Sequence, residues 1–205
     1  MKLIHIFTRT TLYVISGIVT YLSLSTATNT YYAVLETTII VAAIIISDLK
    51  KSFIRIGKSI GLSIAGFIIP FIFSIELILR LYNIFSSVAL DFFIGLLICI
   101  IINYLNSITY RKLGVLLLDL LIPLLTISAV SVIIVTKNNL DPLLVSPLSI
   151  VLGSFSSIIG LDLLNMRREL GKIYVFGGNN VFDAIFLETF LAPSLSYAIL
   201  VLSIM

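Results

Sequence analysis

The chain has 205 residues, of which 60% are hydrophobic and only 11% charged, with a net charge of +3. A soluble domain carries about 25% charged residues, so no water-soluble fold fits, and apolar blocks of about 18 to 25 residues replace the short alternating segments that a β-barrel requires. The basic residues are scattered among short polar breaks and form no groove or aromatic-interleaved patch, which argues against a nucleic-acid partner, while a lone Cys99 and a lone His5 provide neither a disulfide framework nor a metal site, and no cofactor is expected.

The expected fold is all-α, a single polytopic transmembrane helical bundle with lipid as its surroundings. Its spans fall at roughly 12–28, 31–47, 59–79, 86–105, 113–135, 143–165 and 181–203. Span one follows Lys2 and Arg9 and precedes Ser25-Thr26-Ala27, a pattern shared with a signal peptide, whose cleavage would leave six spans. Span two holds Glu36 with no sequence-local partner, open to burial as a neutral acid or to a role in transport. Span three ends on Glu76 and Arg80, spaced i,i+4 in the favourable order for an ion pair. Asp91 lies near the start of span four, where the helix dipole favours an acid. Span five carries Asp119, and Pro123 frees the carbonyl four residues before it.

Span six presents Ser149, Gly153, Ser156 and Gly160, a seam of small residues that admits another helix and offers a face for a homo-oligomer. Asp162 lies just beyond, near a helix C-terminus that disfavours negative charge; Arg167 or Arg168 would be its ordinary partners. Residues 173–180, Ile-Tyr-Val-Phe-Gly-Gly-Asn-Asn, change abruptly from apolar to amide-rich, and either turn at the interface or dip back into the bilayer. Span seven opens with Asn180 spaced as an N-cap and Asp183 at the third helical position, and carries Glu188 deeper. Pro70, Pro123, Pro147 and Pro193 interrupt four spans.

Lysine and arginine mark the orientation. Assigned to alternate breaks, eleven lie on one side and two on the other, so the N-terminus is expected in the cytoplasm and the C-terminus outside. Tyr21, Tyr31, Tyr32 and Tyr82 then line the outer interface, and Tyr104, Tyr110 and Tyr174 the inner one.

An acid at the centre of a spanning helix costs about 2.5–3.5 kcal/mol on insertion scales, so Asp119, Asp162, Asp183 and Glu188 are the candidates for chemistry in the inner half, and Glu36 in the outer. Asn165, Gly177, Gly178, Asn179 and Asn180 surround the inner group in sequence. Such carboxyls suit transport of a small solute or cation linked to ion or proton binding. Asp162 and Asp183 on consecutive antiparallel helices also suit an intramembrane aspartyl hydrolase, one acting as base and the other as acid. A structural or assembly role is the third reading.

The segments Gly160-Leu161-Asp162-Leu163-Leu164-Asn165 and Phe176 to Pro193 resemble the archaeal and bacterial membrane proteins grouped as domain of unknown function 1614. Members look like a Gly-x-Asp-Leu-Leu-Asn segment, a short basic loop and a Gly-Gly-x-Gly-x-Phe-Asp-Gly-Ile-Phe-Leu segment. Gly160, Asp162, Leu163, Leu164 and Asn165 match the first; Gly177, Gly178, Phe182, Asp183, Ile185, Phe186 and Leu187 match the second. Asn180 and Ala184 depart from it, each standing for a glycine, and Leu116-Leu117-Leu118-Asp119 departs from an Asn-Val-Gly-Gly run upstream. The resemblance covers roughly residues 113–205. It implies a membrane bundle and singles out Asp162 and Asp183 as a pair, without implying an activity.

Overall fold

The computed structural model describes residues 2–56, 60–110, 114–166 and 174–204. Its core is helical, and three helical stretches, Thr30–Lys50, Pro142–Leu163 and Ala184–Ser203, are long and apolar enough to cross a membrane. Helix α1 (Lys2–Ser25) leads into α2 (Thr30–Lys50), whose first turn is capped by Asn29 accepting from the Tyr32 N–H at 3.1 Å. The chain then forms a hairpin, β1 (Phe53–Ile56) and β2 (Ile60–Ser63), before a π-helical turn, Ile64–Ile68, runs into α3 (Ile69–Arg80). Short α4 (Tyr82–Ser87) and α5 (Ala89–Leu105) follow, then a second hairpin of β3 (Ser107–Tyr110) and β4 (Gly114–Leu117). Helix α6 (Leu121–Lys137), helix α7 (Val145–Ser157) with its π-helical continuation Ile158–Leu163, strand β5 (Tyr174–Phe176) and helix α8 (Ala184–Ile204) complete the order.

The exterior is apolar, unlike that of a soluble protein, around a core that includes Phe73, Leu77, Ile127 and Phe186. Large apolar side chains such as Ile18, Ile39, Phe93 and Ile133 are exposed, whereas Ser74, Ser131, Ser149 and Ser154 are fully buried. Lipid tails are as apolar as leucine, so helices in a bilayer associate through close packing and hydrogen bonds instead of hydrophobic exclusion. Helix α7 is the axis of this arrangement, with nearly all of its residues buried among α1, α3, α5, α6 and α8. Its small residues make that position accessible. A Cβ on Gly153 would meet the Glu188 carbonyl at 2.6 Å, and one on Gly160 would meet the Ile100 carbonyl at 2.6 Å. Ser149 accepts from Ser196 at 3.0 Å, and Ser156 accepts from Asn103 at 3.2 Å. These four seam residues meet α5 and α8 of the same chain.

The strands were not anticipated from the sequence. β2 pairs antiparallel with β1 and parallel with β5, from Ile60↔Tyr174 to Leu62↔Phe176. Residues 174–176, expected to turn or dip back into the bilayer, are instead the third strand of this sheet. β4 takes up the first part of the fifth apolar block, so its helix starts at Leu121, not near residue 113. The prolines also shift meaning: Pro123 lies in the first turn of α6, where no ladder bond is lost, whereas Pro70 and Pro147 stand where a π-helical turn and a 3-10 turn pass into α3 and α7. Pro193 lies well inside α8.

Candidate functional site

Three carboxyls converge where the end of α7 meets the start of α8. Asp162 lies in the π-helical turn, and such wide turns recur at functional sites. The Tyr174 hydroxyl, brought there by β5, donates to Asp162 Oδ1 at 3.0 Å. Asp162 Oδ2 is buried without a hydrogen-bond partner among the described residues. Arg167 and Arg168, its expected ordinary partners, lie outside the described residues, as do Lys172 and Ile173.

Asp183 is itself the cap of α8. Its Oδ1 accepts from the Ile185 N–H at 3.1 Å and its Oδ2 from the Asn179 N–H at 3.3 Å. The expectation that Asn180 caps the helix with Asp183 at the third position is corrected. Asn180 adopts a left-handed backbone, φ 56°, and starts a separate short 3-10 turn, so the helix begins three residues later than the spacing suggested.

That turn is bolted to the start of α3. Gly177 has φ 65°, a conformation that favours glycine, and a Cβ on Gly66 would stand 2.3 Å from the Gly177 carbonyl oxygen. The Ser63 hydroxyl donates to Asn180 Oδ1 at 2.8 Å and accepts from the Gly66 N–H at 3.1 Å. Gly178 and Asn179 are exposed at the tip of the turn. Asn165, fully buried, donates to the Leu161 carbonyl at 2.8 Å and to Ser107 Oγ at 3.0 Å, tying the end of α7 to β3.

Glu188 is fully buried between α5, α7 and α8. Its Oε2 is 2.8 Å from Asn103 Nδ2 and 2.7 Å from Ser157 Oγ, while Oε1 has no hydrogen-bond partner among the described residues. Asp183 interacts electrostatically with both Asp162 and Glu188, so the three acids form one group. None of the ion pairs among the described residues includes any of them.

Asp119 does not join this group. It is exposed in the connection before α6, and its Oδ1 accepts from the Leu121 N–H at 2.7 Å, while its carbonyl accepts from the Asn106 side chain. It starts a helix and does not sit within one, because the residues before it form β4. Glu36 finds a partner from another helix: Arg80 Nη2 lies 2.7 Å from Glu36 and 2.6 Å from Glu76, so one guanidinium bridges two acids. Asp91 pairs with Lys137 at 2.7 Å.

Sequence reasoning missed a second fully buried acid. Asp48 is fully buried at the end of α2, where Tyr13 donates to its Oδ2 at 2.5 Å and Arg9 Nε lies 3.5 Å away. The guanidinium of Arg9 also lies over the Phe182 ring, 5.6 Å from its centroid, which joins this pair to the residue preceding Asp183. The available signal was the spacing of Arg9 and Tyr13, four residues apart and so on one helical face. Asn103 was missed as well, being a lone amide in an apolar run.

Apolar helices with serines turned inward and carboxyls gathered at one end define a helical protein of the membrane class. The chain belongs to the family described as protein of unknown function DUF1614, which matches residues 50–195. The match reaches upstream of the two motifs to include β1, β2 and α3, the elements on which the Gly177 turn rests. No curated protein and no solved structure matches the chain.

Proposed function

We propose that the chain is a multi-pass protein of the cell membrane with seven spans, its N-terminus in the cytoplasm and its C-terminus outside. In this reading it moves a small solute or cation by means of the carboxyls Asp162, Asp183 and Glu188. One observation carries the transport reading: Asp162 Oδ2 and Glu188 Oε1 are buried carboxyl oxygens without a hydrogen-bond partner among the described residues. Such groups are expensive in an apolar interior, and a mobile cation or proton offsets the expense.

The span count draws support from which breaks meet. The β2–β5 pairing and the Asn165–Ser107 bond gather the connections after α2, α5 and α7 at one end. The Glu36–Arg80, Asp91–Lys137 and Ser23–Ser146 contacts gather the other connections at the opposite end. This alternation agrees with seven crossings, and the end bearing the sheets is the one rich in lysine and arginine. Helices α5 and α6, at 17 residues each, are about 25 Å long, near the lower limit for a span.

The test is flux. Purified protein in liposomes carrying a pH- or sodium-sensitive dye, polarised by a potassium gradient with valinomycin, should pass an ion faster than empty liposomes. Glu188→Gln and Asp162→Asn should largely abolish that passage while remaining folded. Equal rates in the wild type, the variants and empty liposomes would defeat the proposal.

A second reading, an intramembrane aspartyl hydrolase, draws on the electrostatic contact of Asp162 with Asp183. Both Asp183 oxygens already receive backbone N–H groups, which favours transport. Loss of a proteolytic activity on changing either aspartate to asparagine, with the fold intact, would reverse that order.

A further inference from the structure

Glu188 is fully buried, and none of the ion pairs among the described residues includes it. Ser157 has one hydroxyl proton and two oxygens within reach, the Gly153 carbonyl at 2.5 Å and Glu188 Oε2 at 2.7 Å. The carbonyl can only accept, so whenever Ser157 donates to it the hydrogen between Ser157 and Glu188 comes from Glu188. A carboxylic acid hydroxyl on Oε2 meets this need, because it donates to Ser157 Oγ while accepting from Asn103 Nδ2 at 2.8 Å. The second Asn103 N–H is taken by Ser156 Oγ at 3.2 Å.

A metal cation makes a different demand, since leaving water requires several oxygens to replace its hydration shell. Among the described residues, only Glu188 Oε1 and Asn103 Oδ1 are left without a hydrogen-bond partner on these two side chains, and a Cβ at Gly153 would lie 2.6 Å from the Glu188 carbonyl, so α7 and α8 are in backbone contact beside the carboxyl and leave little space for further ligands. A proton needs one lone pair and no space.

We propose that Glu188 is a proton-binding site, held by Ser157 and Asn103, and that the ion handled by this protein is the proton and not a metal cation. The inference rests on the transport reading above and narrows it. Asp183, the cap of that helix five residues earlier, is the acid through which Glu188 exchanges protons with the end of the bundle that carries the sheets.

The experiment is infrared difference spectroscopy of the purified chain in lipid nanodiscs at neutral pH, in H2O and D2O, with melting temperatures taken in choline, sodium and potassium chloride. The expected result is a carbonyl band of an un-ionised carboxylic acid that is missing from Glu188→Gln, with one melting temperature in all three salts. Ser157→Ala keeps the carboxyl but removes its acceptor, so the same band should shift, and this assigns it even if Glu188→Gln fails to fold. No such band in the wild type, or a rise in melting temperature with sodium or potassium that Glu188→Gln loses, overturns the proposal. The band together with an absence of flux in proteoliposomes would defeat the transport reading and leave the proton site standing.

Discussion

At the scale of single residues, the fold depends on places where a side chain has no room. Gly66 and Gly177 face each other backbone to backbone, and a methyl at either would meet main-chain atoms at 2.3 Å and 2.5 Å. Gly66→Ala and Gly177→Ala should each lower stability by about 1–3 kcal/mol, the usual range for overpacking, with Gly177→Ala further penalised by its left-handed backbone. Gly17→Ala, whose Cβ would meet Val41 at an ordinary 3.4 Å, should melt near the wild-type temperature in the same detergent. Asp48 makes a second test. Tyr13→Phe removes a donor to a buried acid and should destabilise by about 1.5–3 kcal/mol, the range for hydrogen bonds to charged groups. Thermal unfolding of Tyr13→Phe in an Asp48→Asn background should show a smaller loss, because the two changes share one contact. These roles differ in how legible they are. Asp162, Asp183 and Glu188 stand out because an acid in an apolar run is conspicuous. Asp48 sits beside Lys50 and Lys51 and reads as part of a polar break, although the structure buries it completely.

At the scale of elements, the length of the apolar blocks locates the helices but not the strands, for a physical reason. Val115-Leu116-Leu117 and Ile60-Gly61-Leu62 are short apolar runs, and a run of that kind is ambiguous between strand and helix when it continues into a longer apolar block. Asp119 was misplaced for this reason alone: once β4 is taken out of the block, the acid precedes its helix. The π-helical turns at Ile64–Ile68 and Ile158–Leu163 leave no sequence signature comparable to a proline or a cap. Two predictions belong here. Gly61 and Val175 are register partners, and a Cβ on Gly61 would lie 3.2 Å from a Val175 methyl. Cysteines at both positions, in a Cys99→Ser background, should form a disulfide on mild oxidation, visible as a proteolytic fragment pair that separates only on reduction. Ser23 and Ser146 join α1 to α7 at 2.7 Å. A double-mutant cycle of Ser23→Ala and Ser146→Ala should return a coupling of about 0.6 kcal/mol, the average for hydrogen bonds between membrane helices; zero coupling would mean that the two hydroxyls do not meet.

At the scale of the whole molecule, the helices divide by environment. Helix α7 is enclosed on all sides, whereas α2 presents Leu35, Ile39 and Ile46 outward, so two stretches of similar hydropathy meet protein in one case and lipid in the other. Sequence hydropathy could not separate them, but the serine and glycine content of α7 did point to tight helix contacts. On the seven-span reading, a reporter fused after residue 205 should be found outside the cell and one inserted after Lys51 inside, as read by a periplasmically active enzyme in the first case and a cytoplasmic fluorescent protein in the second. The parallel pairing of β2 with β5 also constrains how the protein is made. Residues 60–62 leave the ribosome more than 100 positions before their partners at 174–176, so during synthesis that strand edge waits, unpaired, while the helices between them are made. Released chains truncated near residue 160 should therefore be cut by protease in the first hairpin, and released chains extending beyond residue 190 should resist, making completion of the sheet a late checkpoint in biogenesis.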